Sequence, residues 1–492
     1  MKQDKAGLGK LYEKRDVRLL FALCWTVYCV SYLGRLNYSS AMTVMIAEGV
    51  ADSAQAGLIG MLYFLAYGIG QLINGFLGDR RSPARMIFTG LLASGIANVL
   101  MGLWHEVWAM ALLWCANGYF QAMIWAPILR LFAEMLEEKS KVDCSVNIVS
   151  SMVFGTLFSY LLSAGVLALT SWPYVFEAAA LFLLGTALVW KIGFREVQKR
   201  AAAPEKSVAQ ARQGRAGQSF AESEKKAAQV RQFGGRQDFA EPEKSVAQTR
   251  QCEAGQDFAE AEKEAAQGKQ TVHWKQGQPQ PAPSFRTQLL SSGMLSLLFP
   301  VLVHGMLKDG VTSWVPTYIS ESFGVAASFS VLLTALLPVV NLSGAYMARW
   351  VYRRSGEKIA LSASFFFALA TAALALLCAA GRVSPFLSAA LLAVITASML
   401  AVNTLVVNLY PLRFLRYGRV SGVSGFLNAT AYIGTAVSAY GIGVLVQNSG
   451  WQTTIAVWLA VTAAAGVAAL LASRGERGKK NAGEKSAGGL VS

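Results

Sequence analysis

Six long stretches of this chain carry almost no charge, and that alone narrows what it can fold into. Residues 19–79, 86–129, 142–190, 287–348, 359–412 and 420–473 contain only three lysine or arginine residues between them: Arg35, Lys308 and Arg382. About 20 consecutive apolar residues carry a helix across the roughly 30 Å hydrocarbon core of a bilayer, and each stretch is long enough for two such helices and a turn. Lipid offers the backbone no hydrogen-bond partner, so the spans must satisfy their own N–H and C=O groups as helices. The composition agrees, with 54% hydrophobic and 15% charged residues against about 25% charged in soluble domains. The expected fold is an all-α membrane protein of twelve transmembrane helices.

The 44 basic and 29 acidic residues give a net charge of +15. In a soluble protein that excess would suggest nucleic acid. Here the bases lie between the hydrophobic stretches: Lys2 to Arg18, then Arg80, Arg81 and Arg85, Lys139 and Lys141, a long middle segment, Arg349 to Lys358, Arg413 to Arg419, and Arg474 to Lys485. Positive residues remain on the cytoplasmic side, so six hairpins place both termini in the cytoplasm. The surroundings expected are membrane lipid, with no nucleic acid. The charged start shows no cleavable signal, and with the compact outer loops it suggests a bacterial inner (plasma) membrane.

Three hairpins precede the polar middle segment and three follow it. The expected organisation is a cytoplasmic tail (1–18), a six-helix bundle (19–194), a linker (195–288), a second six-helix bundle (289–473) and a cytoplasmic tail (474–492). Two six-helix halves are the form that parallel repeats take in transporters. The linker repeats every 19 residues, EKSVAQARQ from Glu205, EKKAAQVRQ from Glu224, EKSVAQTRQ from Glu243 and EKEAAQGKQ from Glu262. Rich in Gln, Ala, Glu and Lys, it lacks the apolar surface needed to offset its ordering entropy. It reads as a disordered tether, and no partner for it is legible.

Two charges stand where charges are costly. Arg35 has sixteen uncharged residues before it and twelve after, about 24 Å along the helix from the cytoplasmic end. An arginine there costs at least about 2.5–3.5 kcal/mol and usually faces a cavity and a partner. The partner is either an acid such as Glu48 or an anionic ligand. Lys308 stands equivalently in the first helix of the second half, so two cations facing one cavity would clamp a dianion. Asp309 follows Lys308; neighbours on an α-helix diverge by about 100°, so it need not neutralise the lysine, but a local ion pair or a proton-binding role stays open. Glu177 is the other candidate proton carrier.

Tyr28 and Tyr32 lie on the same helical face as Arg35 and can offer hydroxyls to the same ligand. Asn117, Tyr119, Gln121 and Trp125 in the fourth span, and Asn428 and Tyr432 in the eleventh, are weaker candidates of this kind. Gly75, Asp79, Arg80 and Arg85 mark a short cytoplasmic turn suited to conformational locking, partly echoed by Gly344, Arg349, Arg353 and Arg354. The glycine-, serine- and alanine-rich stretch from Gly418 to Gly443 suits close helix packing. The six cysteines, Cys24, Cys29, Cys115, Cys144, Cys252 and Cys378, lack metal-ligand spacing and read as core residues. The sequons at Asn37, Asn341 and Asn428 lie inside spans, which argues against glycosylation. No P-loop, HExxH or nucleophile elbow is present. The chain is expected to be neither an enzyme nor cofactor-dependent, with no metal site.

Several stretches resemble the major facilitator superfamily and, within it, the organophosphate:phosphate antiporter family of glycerol-phosphate and hexose-phosphate transporters. They are YCVSYLGRLNYSSAM (Tyr28 to Met42), AYGIGQLINGFLGDRRSP (Ala66 to Pro83), NGYFQAMIWAP (Asn117 to Pro127), LKDGVTSWVPTYI (Leu307 to Ile319) and GVSGFLNATAYIGTAVSAYGIGVLVQNSGW (Gly422 to Trp451). The resemblance covers both halves but not the linker. It implies rocker-switch exchange of an organic phosphate for inorganic phosphate. The phosphoryl-binding basic pair falls on Arg35 and Lys308, and the family's aromatic site residues on Tyr28, Tyr32, Trp125 and Tyr432.

The chain also departs from the pattern. Lys308 replaces an arginine, losing bidentate geometry; Leu36 and Gln71 stand where glycerol-phosphate members carry bases, Gln71 remaining a candidate substrate-binding residue; and a His-Asn-Gly-Gly signature is reduced to Val146, Asn147, Ile148 and Val149. A less positive site favours a smaller or less charged anion, or a substrate with its own amine. On this reading the empty site holds two mutually repelling cations, and ligand binding lowers the cost of closing over them. Two alternatives stand beside exchange: proton-coupled symport of a carboxylate or sugar acid, and a transporter-like sensor of a phosphorylated metabolite.

Overall fold

The computed structural model describes residues 9–78, 81–201, 293–381, 383–417 and 420–488. Most of the linker with its repeats, Cys252, Asp79, Arg80 and Arg382 lie outside the described residues. Within them the fold is entirely helical. The helices are α1 (Lys14–Ala47), α3 (Pro83–Leu103), α4 (Val107–Met135), α5 (Asp143–Leu169), α6 (Pro173–Ala201), α7 (Leu295–Phe323), α8 (Ala327–Arg354), α9 (Ile359–Ala380) and α10 (Pro385–Phe414), together with α2 (Ser53–Gly78). The last helical stretch, Val420–Gly488, has a non-helical residue inside it, Gly450 at φ 72° and ψ 177°. At 1.5 Å per residue the stretch is far too long for one crossing. Gly450 divides it into two arms, α11 (420–449) and α12 (451–488), each long enough to span. Only glycine takes that left-handed φ without penalty.

The outer surface is what a hydrocarbon solvent selects. Leu112 is 71% exposed, Leu181 73% and Tyr346 72%, while Ser94, Asn98, Asn117 and Thr435 are buried inside. Polar groups turn inward because lipid cannot satisfy them. Eleven helical stretches are long and apolar enough to cross a membrane among the described residues, the last containing Gly450. α6 continues as helix to Ala201, a little past the boundary expected at residue 194.

The helices nearest the two basic residues meet at glycines. A Cβ on Gly305 of α7 would stand 1.9 Å from the Ala431 carbonyl oxygen of α11, and one on Gly434 of α11 would stand 2.0 Å from that of Leu302 in α7. Thr435 Oγ1 completes this contact by donating to the Gly305 carbonyl at 2.9 Å. Small residues thus let α7 and α11 approach backbone to backbone, as the composition of that region suggests. The halves also touch where Gly443 packs on Ser53 and where the Thr43 and Thr317 hydroxyls lie 3.1 Å apart. These contacts lie at the end of the bundle remote from the basic loops.

At the other end, Arg130 donates to the Arg81 carbonyl at 3.0 Å and pairs with Glu134 at 2.5 Å. The basic turn is therefore held to α4 partly through its backbone. Gly75 lies in the last turns of α2. Cys24, Cys29 and Cys144 are buried and Cys115 partly so, but Cys378 is exposed, against the core position expected of it.

Candidate functional site

Arg35 owes its position to a break in α1. The helix is interrupted at Tyr32, where Tyr32 N bonds to Cys29 O and Arg35 N to Tyr32 O, both at 3.2 Å. The Ser31 and Gly34 carbonyls are met from α4: Gln121 Nε2 donates to Ser31 O at 3.1 Å and Asn117 Nδ2 to Gly34 O at 2.8 Å. Ser94 of α3 joins them, its hydroxyl donating to Asn117 Oδ1 at 2.6 Å and accepting from Gln121 Nε2 at 2.9 Å. Asn37 donates to Asn98 Oδ1 at 2.7 Å, and Asn98 to Ser94 O at 2.8 Å. A half-satisfied buried polar network is costly, whereas a connected one rigidifies. Asn117 and Gln121, read from sequence as weak ligand candidates, here hold the backbone that presents Arg35.

The Arg35 side chain is only 9% exposed and is surrounded by tyrosines. Its guanidinium carbon lies 4.7 Å from the Tyr67 ring centroid, 5.6 Å from Tyr32 and 6.0 Å from Tyr432. An Nη2 to Tyr432 Oη contact of 3.4 Å adds a polar partner from the second half. Ring faces attract a desolvated cation. Tyr28 packs on Tyr32 and on Trp125, with centroids 5.5 and 4.5 Å apart. The expected residues Tyr28, Tyr32 and Trp125 thus form one connected aromatic group, and Tyr432 reaches it across Arg35. Tyr63 and Tyr67, one helical turn apart on α2, stack at 6.1 Å and join it without having been singled out. Their i, i+4 spacing was the available signal, but it equally fits ordinary core packing.

The second cation approaches through irregular backbone. Met306–Val311 forms a π-helical turn within α7, with the Thr312 hydroxyl donating to the Lys308 carbonyl. A π turn packs more residues into each revolution than an α turn, so consecutive side chains diverge less. Asp309 Oδ2 consequently lies 2.7 Å from Lys308 Nζ and 4.0 Å from Arg35 Nη2. The divergence expected of α-helical neighbours does not hold here. The two cations are not a bare repelling pair, because one carboxylate faces both, and that carboxylate is Asp309 and not Glu48.

Gln71 meets the second half beside this aromatic group, hydrogen-bonding Tyr67 and accepting from Asn428 Nδ2 at 2.6 Å. Glu177 is not brought in; it packs against Gly102 at the end of α3. A small pocket of about 40 Å³ adjoins the triad, lined by Arg35, Asp309, Tyr38, Tyr63, Trp114 and Trp314 among others. That holds a water or two, so this conformation is nearly closed on its ligand space.

Comparison with known proteins agrees with this architecture. The sequence profile of the Major Facilitator Superfamily matches residues 24–429, and the chain belongs to that superfamily. Its helices, long and apolar enough to cross a membrane many times, fit a multi-pass membrane protein of that superfamily. Over 138 residues it is 30% identical to the "Probable hexose phosphate transport protein" of Chlamydia muridarum, covering 28% of this chain and 30% of that one. Over 118 residues it is 32% identical to the "Membrane sensor protein UhpC" of Escherichia coli, covering 24% and 27%. Over 114 residues it is 35% identical to the "Glycerol-3-phosphate transporter" of Haemophilus influenzae, covering 22% and 23%. These matches span less than half the length of each relative. Among solved structures, an inward-facing, occupied bacterial homolog of the human lysosomal transporter Spinster shares the fold at TM-score 0.67 and 12% identity, covering 94% of this chain and 98% of that one.

Proposed function

We propose that the protein is a secondary transporter that exchanges a small organophosphate or phosphonate for inorganic phosphate by alternating access. The observation that carries this reading is the meeting of Arg35 and Lys308, from the first helix of each half, around one carboxylate beside a closed pocket. The partial similarity to hexose-phosphate and glycerol-phosphate transporters supports a phosphorylated substrate. In the proposed cycle the phosphoryl oxygens replace Asp309 as the partner of both cations. Arg35 supplies directional N–H donors and Lys308 a point charge. Tyr32 and Tyr432 hold the guanidinium, with Tyr28 and Trp125 packed behind Tyr32. Gln71 with Asn428, and the turn at Gly75, Asp79 and Arg80, act in the rocking of one half against the other. Twelve crossings with both termini cytoplasmic complete the arrangement.

Ligand occupancy supplies the coupling. Closing a dry interface over a charged site is costly unless every charge is paired, and inorganic phosphate and the organic substrate each bring phosphoryl oxygens that can pair with the cations. The test is radiolabelled phosphate exchange in proteoliposomes loaded with phosphate, competed by organophosphates, phosphonates and sugar acids. Exchange in the wild type that falls at least a hundredfold in Arg35→Ala and Lys308→Ala supports the proposal. Phosphate that never exchanges overturns it. A second reading, a sensor, draws on the similarity to a membrane sensor protein; saturable ligand binding with no flux in the same vesicles would establish it instead.

A further inference from the structure

The binding triad carries one net positive charge, not two. Asp309 serves as the shared counterion of Lys308 and Arg35. A phosphoryl dianion that drew both cations onto its own oxygens would strand the Asp309 carboxylate beside new negative charge. Removing the partner of a largely buried charge is strongly unfavourable. A ligand bringing its own ammonium avoids this penalty. Its phosphoryl group takes Arg35 and Lys308 while its ammonium takes over Asp309, and its net single negative charge is equal and opposite to the triad's.

The surroundings favour a cation at that position. The pocket beside Asp309 is walled by Tyr38, Tyr63, Phe64, Trp114 and Trp314, and aromatic faces recognise ammonium groups. The 4.0 Å separation of Asp309 from Arg35 requires the ammonium and phosphoryl groups to be close together. We infer that the organic substrate is a zwitterion, a phosphate monoester or phosphonate with a primary amine on a short linker of about two carbons. This inference rests on the exchange reading for its transport role, while the charge match is a property of the triad itself.

The experiment is isothermal titration calorimetry on the full chain in lipid nanodiscs, with 2-aminoethyl phosphate and ethyl phosphate as the paired probes. The wild type should bind the amine at least tenfold more tightly. Asp309→Asn, which leaves both cations without their carboxylate, should reverse that order, and Asp309→Glu should retain it. Equal affinities in the wild type, or an unchanged ratio in Asp309→Asn, overturn the inference. The wild-type comparison decides even if the variants fail to fold. Phosphate exchange accompanied by equal affinities sinks this inference alone. A tenfold preference without any exchange supports it and sinks the transport reading.

Discussion

Replacing Gly305 with alanine probes whether the close approach of α7 and α11 sets the site. The new Cβ would lie 1.9 Å from the Ala431 carbonyl oxygen, and Cβ atoms essentially never come closer than 3.0 Å to such an atom. The helices must therefore part by about 1.1 Å at that point. Overpacking of this kind costs about 1–3 kcal/mol, offset by up to about 1 kcal/mol from alanine's better helix propensity. Lys308 lies three residues along the same helix, so it moves with the displacement. A misplacement of about 1 Å in a positioned group can cost on the order of a hundredfold in rate. Gly185→Ala is the matched control, because nothing lies within 4 Å of the position its Cβ would take. Melting followed by fluorescence-detected size exclusion, together with phosphate exchange in proteoliposomes, reads both consequences. Gly305→Ala should melt earlier and exchange at least tenfold more slowly, with Gly185→Ala unchanged or slightly stabilised. Indistinguishable behaviour of the two variants would refute the assignment of a packing role to Gly305.

Two further predictions test other parts of the arrangement. Asn117→Leu leaves the Gly34 carbonyl and the Ser94 hydroxyl without their present partner, which should cost about 2–4 kcal/mol and lower the melting temperature well beyond Leu112→Ala on the exposed flank; equal shifts would exclude the network as the support of the α1 break. Gln71→Leu removes the 2.6 Å bond to Asn428 across the halves. Such bonds within membranes contribute about 0.6–1.7 kcal/mol, so the present conformation should lose roughly three- to eighteenfold in population, read by the accessibility of a cysteine placed beside the pocket. An unchanged labelling rate would show that the bond holds nothing in place.

The membrane class and the pairing of Arg35 with a second-half cation were legible because hydrocarbon makes every internal charge conspicuous. The close α7–α11 packing was legible as well, since Gly, Ser and Ala crowd the stretch from Gly418 to Gly443. Tyr63 and Tyr67 were not, because aromatics spaced by one helical turn look the same whether they pack a core or cradle a guanidinium. Asn117 and Gln121 were noticed for the wrong task. Their polarity marked them as unusual, but their use depends on α1 carbonyls at and just after the break at Tyr32.

The helical membrane class follows from residue order alone, because spacing of charge along the chain is enough to decide which segments lipid accepts. The state of charge at the site depends instead on packing. Lys308 and Asp309 are adjacent in sequence, but a π turn brings their side chains together, and helix packing brings Arg35 from the other half to the same carboxylate. The local ion pair left open for Lys308 and Asp309 forms within the π turn, whereas the approach of Arg35 to the same carboxylate is a long-range contact.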